Sequence, residues 1–390
     1  MAARKPISLA KGADNVAQTW DGEPDRFKDE HVDPFLMWCV KKGSSDISIQ
    51  TDKPVYNELG GFLYPALYRP IDAADMAVFL NKIYGPDAQA RLASGRDLDV
   101  SYEIRPDRYN RMRFRVNITP IQSKGRDGAQ ITMRVLPKEP PTMKDLNVEQ
   151  DIINNWAPRQ GMVVVTGPTG SGKSTLLAAG NRMIIERPRG CGKMLTYEAP
   201  IEFTYDTIHS PRSLIAQTEI PRHLPDFSAG IRNALRRKPN IILVGEARDR
   251  ETISAAIEAA QTGHAVYTTT HTMGVSATVR RMVSTFDMKE RSERAYALME
   301  TLRLIVTQAL VPKKGGGRVG CREWMRFPDE VREKLLDMDY EDWGTEIQRM
   351  IPQYGQSMNK TATIYFEKGV IERRYYLLLT GISTGDGGGH

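Results

Sequence analysis

The stretch Gly167-Pro168-Thr169-Gly170-Ser171-Gly172-Lys173-Ser174-Thr175 sets three glycines ahead of a lysine and a hydroxyl pair, in the spacing G-x-x-x-x-G-K-[ST]. Glycines at those places let successive backbone N–H groups turn toward one anion, and a helix starting near Lys173 points its positive end at the same spot. In such a loop the backbone cradles phosphates, Lys173 reaches the β- and γ-phosphates of a nucleotide, and Ser174 ligates magnesium. A glycine-rich turn that matches by chance is the competing reading. It is the weaker one, because the apolar run Met162 to Val165 precedes the loop and Leu176-Leu177-Ala178-Ala179 follows it. That is the strand, loop, helix context the chemistry requires.

Hydrolysis needs more: an acid near the metal and a group that orients water. Ile241-Ile242-Leu243-Val244-Gly245-Glu246 is an apolar strand ending in a carboxylate, a Walker B layout with Glu in place of the usual Asp. Glu246 is placed to hold a hydrated magnesium or polarise the attacking water; a salt bridge to Arg248 or Arg250 is the plainer alternative. Thr196-Tyr197-Glu198-Ala199-Pro200-Ile201-Glu202-Phe203 gives a second strand end with two carboxylates and a proline between them that forbids a simple helix. Glu198 is the candidate general base and Glu202 a weaker one. His264 and His271 bracket the apolar run Ala265 to Thr270, where they could sense the γ-phosphate or couple the site to a neighbour; metal ligation is not expected without a third ligand. Upstream, Arg111-Met112-Arg113-Phe114-Arg115-Val116 alternates strictly and puts arginines on one strand face, with Arg134 on a later strand. Taken singly, each of these arginines reads as part of a solvated face.

These residues need elements to position them. Helical spacing is expected from Asp33, with Phe35, Leu36, Cys39 and Val40 on one face, and again after an Asp72 cap. Strands are expected over 46–50, 62–68, 100–105, 111–118 and 130–136, so residues 31–137 form a small α+β domain after a polar arm, 1–30. Pro137-Lys138-Glu139-Pro140-Pro141 opens a semi-rigid linker, 138–150. Beyond it strands and helices alternate, the signature of a parallel sheet covered by helices, over 151–325. Strands are expected at 162–166, 193–197, 241–244 and 265–270, and helices at 174–186, 227–236 and 251–261. A helical pattern is read from 289 through 307, a helical extension over 326–384 with two short helices between 330 and 350, and a disordered tail over 385–390.

At 390 residues the chain is long enough for two or three cores, and 40% hydrophobic with 26% charged residues is ordinary globular composition. A net charge of +6 permits contact with nucleic acid or an anionic membrane but does not require either. Cys39, Cys191 and Cys321 lie far apart with no C-x-x-C pair, which excludes a disulfide framework or a cysteine zinc site and fits a reducing compartment. The apolar stretch after Arg4 and Lys5 is too short for a signal peptide, and no run approaches a membrane span. A cytoplasmic protein is expected, reaching a membrane only through partners.

The four boxes together resemble those of the PilT/GspE/VirB11 class of secretion ATPases, over roughly residues 33 to 325. GPTGSGKST is similar to that family's Walker A box, TYEAPIEF to its Asp box, NIILVGEARDRET to its Walker B box and TGHAVYTTTHT to its His box. The resemblance implies an α/β architecture, a RecA-like P-loop NTPase domain preceded by a smaller PAS-like α+β domain. It also implies ATP and Mg2+ as ligands, and a hexameric ring at the cytoplasmic base of a secretion or pilus machine, peripheral to the inner membrane. The family's arginine fingers sit on strands that begin like Arg113-Phe114-Arg115-Val116-Asn117, which moves Arg113, Arg115 and Arg134 from solvated surface toward a nucleotide, supplied across the ring. The cysteine-rich metal element of extension and type II ATPases is missing, residues 326–350 differ from the retraction ATPases, and Ala199 replaces an acid of the Asp box. The pattern is most like the DotB and TraJ proteins of type IVB secretion and conjugation systems. A pilus retraction motor shares all the boxes and stays open. A nucleic-acid translocase lacks a recognisable binding module or stacking platform, and a non-hydrolysing adaptor would not need Glu198 and Glu246.

Overall fold

The computed structural model describes residues 19–107 and 110–381; the expected disordered tail, 385–390, and most of the expected arm lie outside them. The chain forms two compact units, 1–138 and 139–390.

In the first unit, helix α1 (Asp29–Lys41) starts one turn earlier than the apolar spacing predicts. The reason is local: Asp29 and Glu30 occupy its first turn and the His31 ring accepts from the Lys28 N–H at 3.1 Å. Strands β1 (Asp46–Gln50), β2 (Tyr56–Leu59) and β3 (Phe62–Pro65) follow, the last two joined through Gly60 and Gly61, both at positive φ. Asp72 caps α2 (Ala73–Ile83) by accepting from Asp75 N, and α3 (Ala88–Ala93) leads to β4 (Leu98–Ile104), β5 (Met112–Ser123) and β6 (Arg126–Leu136). The strands form one antiparallel sheet in the order β3-β2-β1-β6-β5-β4. Phe35, Leu36, Phe79 and Leu80 from the helices pack with Ile47, Phe114, Val116 and Met133 from the sheet.

The second unit opens with α4 (Gln150–Asn155), β7 (Gly161–Thr166) and α5 (Lys173–Ile185), the strand and helix on either side of the glycine loop. Strands β8 (Gly192–Glu198) and β9 (Ser213–Glu219) precede α6 (Phe227–Leu235), β10 (Ile241–Val244), α7 (Arg250–Gln261) and β11 (Ala265–Thr270). Then come α8 (Val275–Ser284), α9 (Arg291–Thr301), β12 (Leu302–Pro312) and β13 (Arg318–Arg326). Helices α10 (Asp329–Leu336) and α11 (Trp343–Tyr354), the short β14 (Gly355–Gln356), α12 (Met358–Glu367) and α13 (Arg373–Thr380) close the described chain. The sheet order is β14-β13-β12-β7-β11-β10-β8-β9, parallel from β12 to β9 and antiparallel at β13 and β14. Strand β7 lies between β11 and β12 and is buried along its whole length, so the loop it launches emerges at the centre of the sheet's carboxyl edge.

The helical reading of 289–307 is corrected: the helix stops at Thr301 and Leu302–Pro312 is a strand. Leu304, Ile305 and Val306 pair with Val163, Val164 and Val165 of β7, and that central apolar surface overrides the helical spacing. The two short helices expected between 330 and 350 are present as α10 and α11.

Candidate active site

The glycine loop takes backbone shapes that only glycine adopts easily. Gly167, Gly170 and Gly172 have φ of 143°, 77° and 80°. A Cβ on Gly167 would lie 2.2 Å from the Gln308 carbonyl oxygen, so this residue also lets β12 approach the loop. Gly172 is the N-cap of α5, and Lys173 and Ser174 begin its first turn. The Lys173 side chain is almost wholly buried; its Nζ donates to the carbonyls of Gly167 at 2.9 Å and Pro168 at 3.1 Å. Burial pushes its pKa down, and the charges of Glu246 and Glu202 pull it partly back. A buried cation whose hydrogen bonds go to neutral carbonyls gains from an anion brought beside it.

Glu246 follows β10 and is locked from both sides. The Gly245 N–H donates to Tyr197 O at 2.7 Å, and the Ala247 N–H donates to Thr269 O at 2.9 Å. Arg250, one of the two alternative partners for Glu246, is held instead by Asp287 at 2.6 Å and Glu290 at 2.8 Å. Glu246 faces His271, with Oε1 3.4 Å from Nε2, while His271 Nδ1 lies 3.4 Å from Lys173 Nζ. A neutral ring protonated on Nε2 satisfies both ends, accepting from the ammonium and donating to the carboxylate. The phosphate loop, Walker B acid and His box thus meet in one chain of contacts.

The loop carrying His271 is pinned by threonines that sequence reasoning did not single out. Thr166 Oγ1 accepts from Thr272 N at 3.0 Å and from Thr270 Oγ1 at 3.0 Å, and Thr272 Oγ1 lies 2.8 Å from Thr278 Oγ1. The run of threonines around His271 was the available signal, but its meaning depends on β7 and β11 being neighbours. Glu198 ends β8 on the same sheet edge, where its Oε1 accepts from Thr196 Oγ1 at 2.6 Å and Gln217 Nε2 at 3.1 Å. Glu202, the weaker sequence candidate, is the second carboxylate acting on Lys173.

His264 is not brought to the site. It precedes β11 at the opposite edge of the parallel sheet, with its ring against Ala259 O at 3.0 Å, so the two histidines are a strand length apart. In the first unit, Arg113 is buried and paired with Glu103 at 3.5 Å, which corrects the solvated reading for that one residue. Arg115 stands opposite Arg134 across β5 and β6, and exposed Arg134 donates to Asp46 at 3.0 Å. Cys39, Cys191 and Cys321 are free thiols in buried positions. Among the described residues no helix is long and apolar enough to cross a membrane.

The profile of the Type II/IV secretion system protein family matches residues 26–387. The type IV pilus retraction ATPase PilT of Pseudomonas aeruginosa is 34% identical over 306 residues, spanning 78% of this chain and 85% of PilT. Among solved structures, the ATPase DotB of Legionella pneumophila superposes with a TM-score of 0.88 at 45% identity, covering 94% of this chain and 99% of DotB. The pilus retraction motor PilT with bound ADP gives a TM-score of 0.78 at 27% identity, over 91% of this chain and 97% of that one.

Proposed function

The chain belongs to the Type II/IV secretion system protein family and is an ATPase, and from that premise we propose that it is the hexameric motor of a type IVB secretion or conjugation system. The observation that carries this reading is the near full-length likeness to DotB around a phosphate loop whose lysine is linked through His271 to the Walker B glutamate. Residues 31–137 would be a PAS-like domain, 138–150 its linker, 151–325 the RecA-like domain and 326–384 a C-terminal helical extension.

The residues divide the work as follows. Lys173 leaves the Gly167 and Pro168 carbonyls for the phosphate oxygens, and the loop N–H groups from Gly170 to Thr175 hold the remaining charge. Ser174 and Glu246 offer a hydroxyl and a carboxylate oxygen, hard donors that suit Mg2+, an ion that keeps several waters and binds through few protein groups. When bound there, Mg2+ supplies charge neutralisation on the β- and γ-phosphates. Glu246 orients the attacking water, His271 holds Glu246 through its second ring nitrogen, and Glu198, already bound by two donors, shapes the polar edge as the candidate general base. Arg113, Arg115 and Arg134 would stabilise transferring charge across the ring. His264 has no place in this pocket.

Lys173→Ala and Glu246→Gln should each lower the steady-state ATPase rate by at least about 100-fold; a full rate in either variant would overturn the site assignment. The likeness to PilT sustains a second reading, a pilus retraction motor. Affinity capture from native cells decides between them, since channel and coupling proteins support the first and pilin-assembly proteins the second.

A further inference from the structure

Behind the phosphate loop lies a buried polar chain that the hydrolytic site does not use. Arg322 on β13 is 1% exposed and sits directly opposite Gln308 of β12. Its Nε donates to Gln308 Oε1 at 2.7 Å. One terminal nitrogen donates to Asn147 O and Glu149 Oε2, both at 3.1 Å, and the other to Leu146 O at 2.9 Å. Gln308, itself buried, passes the contact on: its Nε2 donates to the Ser171 carbonyl of the phosphate loop at 2.7 Å.

The chemistry fixes the direction of this chain. A guanidinium has donors only, so it can donate to nothing but the oxygen end of the Gln308 amide. With that end taken, the NH2 group must face Ser171. A flipped amide would set NH2 against guanidinium and oxygen against carbonyl oxygen. The Ser171–Gly172 peptide is planar and trans, so a carbonyl held toward Gln308 turns the Gly172 N–H to the opposite side. At the other end Arg322 holds the turn at 146–149, where Asn147 sits at a φ of 47° and which ends the connection from the first unit.

We propose that Arg322 is a positioning residue that sets the phosphate loop through Gln308 and makes nucleotide affinity depend on residues 146–149. The inference rests on the loop being the nucleotide site. By linkage, whatever loosens the turn weakens nucleotide binding, and bound nucleotide tightens the turn.

The test uses the full chain and mant-ADP as probe. Gln308→Glu keeps the shape and strengthens the pair with Arg322, but it places a carboxylate oxygen against the Ser171 carbonyl. It should weaken mant-ADP binding by about tenfold or more while the apo protein still melts cooperatively, because the Ser171 carbonyl loses its neutral amide donor and an unpaired buried acceptor costs about one to two decades in an equilibrium constant. Glu149→Ala, outside the loop, should weaken binding severalfold, and Arg322→Lys should restore only part of what Arg322→Met loses. In the wild type, ADP should slow amide exchange at 146–149, and in Gln308→Glu it should not. Unchanged affinity in folded Gln308→Glu and Glu149→Ala, with normal wild-type binding, would overturn the relay alone. A wild type that binds no mant-ADP would overturn the nucleotide site with it.

Discussion

His271 is the residue on which the site turns, because it touches both the buried lysine and the Walker B acid. Removing the ring leaves Lys173 bound to its own loop carbonyls and Glu246 without its partner. His271→Ala should therefore lower kcat by about 100-fold or more, the low end of the range for a positioned acid–base group, while leaving thermal stability nearly unchanged. Steady-state kinetics with a melting curve separates that outcome from simple misfolding. The phosphate loop and Glu246 were legible from spacing alone, since each is a local run of residues. The placement of His264 was missed although chain order held it: in a parallel sheet a residue ahead of its strand lies at the edge opposite the phosphate loop. Gln308, Arg322 and Thr166 carried no local signature, as their roles arise from cross-strand register.

Among the elements, α5 shows two effects in opposition. Gly180 lies inside it, where helix propensity would favour alanine by about 1 kcal/mol. A Cβ there would fall 2.0 Å from the buried ring of Trp156, and overpacking of that kind costs about 1–3 kcal/mol. Gly180→Ala should thus destabilise the second unit on balance, read as a lower denaturant midpoint. Elements bounded by turn residues and filled with apolar side chains were read to the residue, as with β10 and β11. β9 escaped notice because Gln217, Thr218 and Glu219 give it no apolar alternation. The boundary between α9 and β12 was lost because one apolar run serves both, and only pairing with β7 decides where helix gives way to strand.

At the scale of the whole molecule, the two units carry separate cores, and the first is tied together by an ion pair. Asp75, 2% exposed, accepts from Arg69 and from the Phe27 N–H at 2.8 Å. Burial alone would raise its carboxyl; the hydrogen bonds from Arg69 and Phe27 outweigh that and hold it below the usual range. A depressed carboxylate contributes stability above its unfolded pKa of about 3.9 and loses it as pH falls through the lower folded value. Asp75→Ala should cost about 3 kcal/mol at pH 7, with the gap to wild type closing below about pH 4, measured by amide exchange or denaturant melts of the first unit. The position of β7 has a further consequence, for synthesis. Its two sheet neighbours, Ala265–Thr270 and Leu302–Thr307, are encoded roughly 100 and 140 residues after it. At about 5–20 residues per second, the ribosome takes on the order of ten seconds to deliver the second. Until then the strand that launches the phosphate loop has an unpaired edge, so a nascent or truncated chain ending before β12 carries the nucleotide-binding sequence without its binding site.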